Sequence, residues 1–298
     1  MKNELTRKEF DVLTEIYYLH ENYTQRKIQM NTGLSLGIVN KTIASLKQRK
    51  ILVNGKISQF GFKLLEPYRV KRAIFLAAGF GSRLVPITLN TPKPLVRVNG
   101  RRIIDGLIDA CLEAGIEEIY VVRGYLAENF DQLLYKYPMI KFLENNFYNE
   151  TNNISSAICA KDFLSNAYII ESDLVINNPS LIKTYHYCSN YLGYKVDRSD
   201  DWCFLTKNRI IISQQIGGLD CYQEFGISYW NSEDGQRLSK QLVDAFNSPG
   251  GKELFWDQVP FKLHPAEYKV EVRECKSSDL VEIDTFNELK QIDKSYNV

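Results

Sequence analysis

The chain has 298 residues, more than the roughly 100 to 200 of a usual single domain, so two domains are expected. Apolar residues make up 44% of it, enough for a substantial core, and a net charge of +1 marks neither a nucleic-acid-coating nor a membrane-surface protein. The charge is uneven: residues 1–66 hold eleven Lys/Arg against six Asp/Glu, so the front end is basic and the remainder acidic.

The opening "MKNELTRKEF" has no apolar signal-peptide core, and no run of about 18 apolar residues occurs, so a cytoplasmic protein with no membrane partner is expected. Six scattered cysteines without a C-x-x-C pair, and three histidines far apart, exclude the usual zinc and disulfide frameworks.

Thr6 and Glu9 form a capping-box pattern before Phe10, Leu13, Ile16 and Tyr17, which predicts a helix over 7–21. A short helix, a Gly33 turn and a helix from about Ser35 follow, with Ile38, Val39, Thr42, Ile43 and Leu46 inward. Asn54-Gly55 is a hairpin signal, and "ILVNGKISQFGFKLLEP" reads as two β-prone runs closed by Pro67. Residues 1–66 therefore resemble the winged helix-turn-helix domains of bacterial transcription regulators. That resemblance implies a DNA partner, with Lys41, Lys47, Arg49 and Lys50 near phosphates and Asn40 and Ser45 near base edges. An interaction or dimerisation module is the other role open to this segment.

The pattern changes between Pro67 and Lys71. Strand-like runs (AIFLAA, EEIYVVRG, KFLEN, AYIIES, GISYW) then alternate with helical ones over 103–114, 126–135, 154–163 and 235–246. This predicts an α/β second domain over 71–298, Rossmann-like, with a mostly parallel sheet and its site at the carboxyl ends of the strands.

"LAAGFGSRLVPITLNTPKPL" follows the first of these strands. Gly79 and Gly81 let the backbone approach a phosphate, with amides of Ala77, Ala78 and Ser82 nearby. Leu84 replaces the third glycine of a dinucleotide fingerprint, and no Gly-Lys-Ser/Thr closes a P-loop. What remains, G-x-G-S-R-L-x-P-x-T-x-x-x-P-K-x-L, resembles the signature of nucleotidyltransferases that join an NTP to a phosphorylated small molecule. In such an enzyme an acceptor phosphate oxygen attacks the α-phosphorus and pyrophosphate leaves, so the site neutralises charge rather than making a nucleophile. The resemblance implies that Arg83 holds the β- and γ-phosphates and that Lys93 offsets charge on the α-phosphate. It also implies a divalent ion, Mg²⁺, held by Asp173 after "AYIIE" and by Asp284 in "LVEIDTF", with Glu171 standing where an aspartate is common.

The three tryptophans lie in "DDWCF", "ISYW" and "LFWDQ", each with acidic or aromatic neighbours, as a quaternary-ammonium cage would need. Over about 71–298 the chain resembles the bacterial CTP:phosphocholine cytidylyltransferases, on these stretches and on "TNNISS", "YIIESD" and "VEIDTFNEL". That implies CTP and phosphocholine as substrates, with Trp202, Trp256 and Asp257 in a choline cage, Tyr229 and Trp230 beside it, and Lys195 on the acceptor phosphate. It also puts Asn152, Asn153, Gly124 and Tyr125 near the nucleotide base. Core packing for the tryptophans and helix capping for the asparagines are the alternative roles. A sugar-1-phosphate nucleotidylyltransferase and a CDP-choline-sensing regulator remain competing functions, and a homodimer is among the expected assemblies.

Overall fold

The structure, a computed structural model, describes residues 4–297, the Glu21 side chain excepted; the outermost residues of both expected domains, 1–3 and 298, lie outside this range. The chain divides into two compact units, with the boundary in the sequence between Arg69 and Val70.

In the first unit α1 (Arg7–Leu19) starts at the expected capping box, with Thr6 accepting from the Glu9 backbone and Glu9 reaching back to Thr6. Next come α2 (Gln25–Thr32), which ends at Gly33 with φ +70°, and α3 (Leu36–Gln48), capped by Ser35. Val12, Leu13, Ile28, Val39 and Leu46 are buried where these helices meet. The hairpin β1 (Leu52–Val53) and β2 (Lys56–Ile57) turns at Asn54 and Gly55, both at positive φ, and the Tyr23 hydroxyl donates to the Gly55 carbonyl. The residues after it are not a strand, as the sequence suggested, but α4 (Gln59–Leu65). Ser58 caps that helix, and Gly61 lets it close on Ile51, whose carbonyl would lie 2.7 Å from an added Cβ. Pro67 accordingly sits in a short 3₁₀ turn after a helix rather than at the end of a wing.

Two residues expected to face DNA turn inward. The Glu9 carboxylate accepts from Arg49 at 2.7 Å and from the Ser45 hydroxyl at 3.1 Å. Glu9 is buried, which pushes its carboxyl up, but the Arg49 and Thr6 hydrogen bonds outweigh this and hold it below its ordinary value. Both side chains therefore tie α3 to α1.

The second unit opens with β3 (Arg72–Leu76). Then follow the small ladder β4 (Arg97–Val98) and β5 (Arg101–Arg102), α5 (Ile103–Glu113), β6 (Glu118–Arg123), β7 (Lys141–Glu144), α6 (Ile154–Cys159), β8 (Ala167–Glu171) and β9 (Leu174–Ile176). A long hairpin, β10 (Asn190–Lys207) and β11 (Ile210–Trp230), leads to α7 (Ser232–Phe246), β12 (Glu271–Glu274), β13 (Leu280–Glu282) and α8 (Phe286–Ile292). Seven strands form one mixed sheet in the order β10-β12-β11-β8-β3-β6-β7. The β8-β3-β6-β7 half is parallel, and β11 joins it antiparallel to β8. Segment 127–135, read as helical, is a run of 3₁₀ turns.

Alternation sends successive strand residues to opposite faces, and both are covered. Phe75, Val121 and Ile170 pack with Ile104, Leu107, Ile108 and Cys111 of α5, whereas Ile74, Val122 and Ile169 pack with Leu238 and Leu242 of α7. Each such fully buried side chain contributes about 1.5–3 kcal/mol, which fixes the register of the strands whose ends carry the site. Among the described residues no helix is long and apolar enough to cross a membrane.

Candidate active site

A cavity of about 510 Å³ opens at the carboxyl ends of β3 and β8. Its floor is the glycine loop after β3. Gly81 has φ +67°, and a Cβ there would come within 3.1 Å of the Lys93 Cβ and 3.2 Å of the Thr88 methyl, so only glycine lets the loop fold back upon itself. The Thr88 hydroxyl donates to the Gly81 carbonyl at 2.9 Å, and the Tyr125 hydroxyl donates to the Thr88 carbonyl at 2.8 Å. The loop is thereby braced from two sides, with Ala77, Ala78, Gly79 and Gly81 on the cavity wall.

Lys93 reaches across this loop. Its Nζ lies 2.9 Å from Asp173 and 3.0 Å from Asp284, and Arg83 donates to the same Asp284 oxygen at 2.7 Å. Burial draws the Lys93 ammonium down, but the two carboxylates outweigh it and hold the group above its ordinary value. Lys93 is thus a fixed cation, while Arg83, 65% exposed, lies at the rim.

Asp173 and Asp284 are joined by Glu282, and one oxygen from each of the three lies within 4.8 Å of the others. The arrangement arises from a repeated acidic-x-acidic pattern. Glu171-Ser172-Asp173 leaves β8 and Glu282-Ile283-Asp284 leaves β13, while β13 pairs antiparallel with β9 and Ile283 N–H donates to the Asp173 carbonyl. The other Asp173 oxygen is buried without a hydrogen-bond partner, and burial beside Asp173 and Asp284 pushes Glu282 up to about 8. Three clustered carboxylates, one oxygen of them orphaned, fit a hard divalent cation.

A second acidic group lines the rest of the cavity: Glu171, Glu224 and Asp257, with the exposed Asp201 beside them. Gly226 makes room for Glu171, since a Cβ there would fall 2.6 Å from that side chain. Burial, then the neighbouring carboxylates, pushes Glu171 and Glu224 well up, and burial pushes Asp257 up to about 6. Gln214 donates to Glu224 at 3.0 Å and to Asp257 at 2.8 Å. Seven carboxylates therefore face two cations in this cavity, an excess that calls for positive charge on what it binds.

Several residues expected at the site lie elsewhere. Trp256 is 1% exposed, stacks parallel to Tyr191 and meets Trp230 edge-on, so it belongs to the core; its chain neighbours Phe255 and Asp257 face the cavity instead. Trp230 is fully buried, its indole N–H donating to Ser228, and Tyr229 is fully buried beside His186 with its hydroxyl on Asn166. Neither touches the cavity, because the last residues of β11 lie inside the sheet. Lys195 stands on the hairpin, paired with Asp220 at 2.7 Å. Gly124 is covered by Tyr148, whose Cβ would lie 2.7 Å from an added one, and Tyr125 packs on Phe80 and braces the loop. Ser82 opens a 3₁₀ turn outside the lining.

Trp202 does line the cavity, edge-to-face with Phe255 at 5.7 Å. Asn152 and Asn153 line it too, and neither caps α6 through its side chain. The Asn153 side chain accepts from the Trp256 backbone N–H at 2.9 Å, and Asn152 donates to the Glu253 carbonyl. They fasten the segment that presents Phe255 and Asp257. Glu224, Phe255, Glu282 and Gln214 escaped sequence reasoning, and of these only Glu282 had a signal, the second acidic-x-acidic pattern.

These features define an α/β protein with a charged cleft at the carboxyl ends of its parallel strands. A family model described as nucleotidyl transferase matches residues 72–187. A 2-aminoethylphosphonate cytidylyltransferase of Lancefieldella rimae is 39% identical over 228 residues, covering 75% of this chain and 92% of that one. The choline-phosphate cytidylyltransferase of Streptococcus pneumoniae is 29% identical, covering 75% of this chain and 97% of its own. A solved structure of the Streptococcus pneumoniae CTP:phosphocholine cytidylyltransferase superposes with a TM-score of 0.70 at 28% identity, over 76% of this chain and 99% of that one. The chain belongs to the nucleotidyltransferase family, among its cytidylyltransferases.

Proposed function

We propose that the chain transfers the cytidylyl group of CTP to a small acceptor with a phosphonate or phosphate at one end and a primary ammonium at the other. An ionised acceptor oxygen forms a bond to the α-phosphorus as the bond to the bridging oxygen of the β-phosphate breaks, and pyrophosphate leaves with both electrons of that bond. No general base is needed. Lys93 would lie against the α-phosphate and Arg83 against the departing phosphates. Asp173, Glu282 and Asp284 would hold Mg²⁺, which supplies further charge neutralisation to the triphosphate.

The observation that carries the acceptor is the wall formed by Glu171, Glu224 and Asp257. A primary ammonium has three N–H donors and satisfies several carboxylates at once, whereas a trimethylammonium has none and needs a surround of aromatic faces. Trp202 and Phe255 are the aromatic pair on the lining, since Trp256, Trp230 and Tyr229 are spent in the core. That pair favours the second reading, phosphocholine as acceptor. The relative of 39% identity acts, by its name, on 2-aminoethylphosphonate. Pyrophosphate release across the four NTPs, with 2-aminoethylphosphonate, phosphocholine and glucose 1-phosphate as acceptors, tests this. Turnover of glucose 1-phosphate alone would refute both readings.

For the first unit, the proposal is a winged helix-turn-helix domain that binds DNA phosphates through Lys41, Lys47 and Lys50, all exposed on or just beyond α3. Band shifts of genomic fragments that weaken with salt would support it; no shift at low salt would end it.

A further inference from the structure

We infer that Gln214 is the positioning residue of the acceptor pocket: its amide joins Glu224 and Asp257 into one pair, so that a single ammonium group meets both. The inference rests on the ammonium reading above and deepens it.

Gln214 lies ten residues before Glu224 on β11, in no motif. Its one amide nitrogen donates to Glu224 Oε2 at 3.0 Å and to Asp257 Oδ2 at 2.8 Å. An amide NH₂ has two hydrogens, and each is committed to a different carboxylate. With both groups ionised, as ammonium binding requires, the reverse orientation would set the amide oxygen against two carboxylate oxygens, so only this pose serves the charged pair. The consequence for its other end is visible: Gln214 Oε1 is buried without a hydrogen-bond partner. A buried orphan acceptor is a cost that a side chain chosen for stability alone would avoid, and such costs collect at functional sites.

The residue type matters as much as the place. A lysine or arginine here would also join the two carboxylates, but it would cancel the charge an incoming ammonium needs. An apolar side chain would leave the two to repel one another and swing apart. A neutral double donor holds them together and leaves their charge for the ligand. The surroundings make this bracing necessary, because Glu171 and Asp201 also bear on Glu224, Tyr191 lies beside both carboxyls, and none of these three is a cation. Burial pushes both carboxyls up, and the Gln214 hydrogen bond pulls each of them back down.

The test uses the full chain as wild type, Gln214→Met and Gln214→Glu, assayed for pyrophosphate release with CTP and either 2-aminoethylphosphonate or its uncharged counterpart 2-hydroxyethylphosphonate. Losing hydrogen bonds to charged groups should raise the KM for the amine about 10- to 100-fold. The KM for CTP should stay within about twofold, since that end of the cavity is untouched. The acid limb of kcat/KM for the amine should move to higher pH in both variants, further in Gln214→Glu, because the downward pull on the carboxyls is gone. A wild type that treats the amine and the alcohol alike would sink the ammonium reading and this inference together. A wild type that prefers the amine, with Gln214→Met keeping its acceptor KM and its acid limb, would overturn the inference alone. A parallel rise in both KM values would also overturn it, marking a merely structural role. If Gln214→Met does not fold, an unmoved acid limb in the near-isosteric Gln214→Glu overturns the inference in its place.

Discussion

Replacing Lys93 with methionine keeps the unbranched stem, one atom shorter, and removes the charge. The ammonium lies 2.9 Å and 3.0 Å from two carboxylates, and its side chain is 12% exposed. Breaking a buried ion pair by deleting one partner costs about 3–5 kcal/mol, and because Asp173 and Asp284 retain 21% and 23% exposure the lower end applies. For a unit of this size that corresponds to a melting temperature roughly 6–12 °C lower. The catalytic loss is separate. A fixed cation beside the phosphorus that gains charge resembles an oxyanion-hole donor, and removing one of those typically lowers kcat about 10²- to 10³-fold. Pyrophosphate release measured well below the melting transition, under saturating CTP and acceptor, separates the two effects. A Lys93→Met variant that folds and turns over within about threefold of wild type would falsify the role given to this residue.

Gly81→Ala should destabilise by about 1–2 kcal/mol through the strain of a left-handed residue, and should also lower kcat by displacing Lys93; thermal melts and turnover read the two. Asp257→Asn should lower kcat/KM for the amine acceptor about 10- to 100-fold with an unchanged KM for CTP, and a uniform loss for both substrates would contradict the pocket assignment. The same carboxyl makes stability depend on pH. Raised from 3.8 to about 6, it binds more protons folded than unfolded across that interval, so its contribution is full below 3.8 and lost as pH climbs through 6. Glu171 and Glu224 act in the same direction. The ligand-free protein should therefore be at least about 1 kcal/mol less stable at pH 8 than at pH 5, read by urea denaturation, and a midpoint that rises over this range would refute the reasoning.

What the sequence disclosed follows from how locally each feature is encoded. The Thr6/Glu9 cap, the Gly33 turn, the strands 72–76, 118–123 and 167–171 and the loop around Gly79 are each written in contiguous residues, and each recurs in the fold. Apart from the GISYW run that ends β11, the long hairpin is illegible because its strands are partly exposed, polar and bulged, so no alternation survives in them. Residues 59–65 read as β-prone through Phe60 and Phe62, but the Ser58 cap and burial of Leu64 and Leu65 make them a helix. The tryptophans show the sharper limit. "LFWDQ" announces an aromatic and acidic cluster, yet only packing against Tyr191 and Trp230 decides that Trp256 turns inward while Phe255 and Asp257 turn out. Glu224 and Gln214 join the site solely because β11 passes there.

The ion pairs from Arg83 and Lys93 to Asp284 connect positions 201 and 191 residues apart along the chain. Closing a loop of that length carries a large entropy cost that two partly exposed ion pairs cannot offset by themselves, so these contacts cannot nucleate folding. They form once the sheet has set β3 beside β8 and the separate β9–β13 ladder has brought Asp284 to the same end. During synthesis, then, the glycine loop is made well before Asp284. A chain in which Asp284 has not docked leaves Arg83 without that partner and Lys93 with Asp173 alone, so the two cations take their final positions only when β13 and the residues after it are in place.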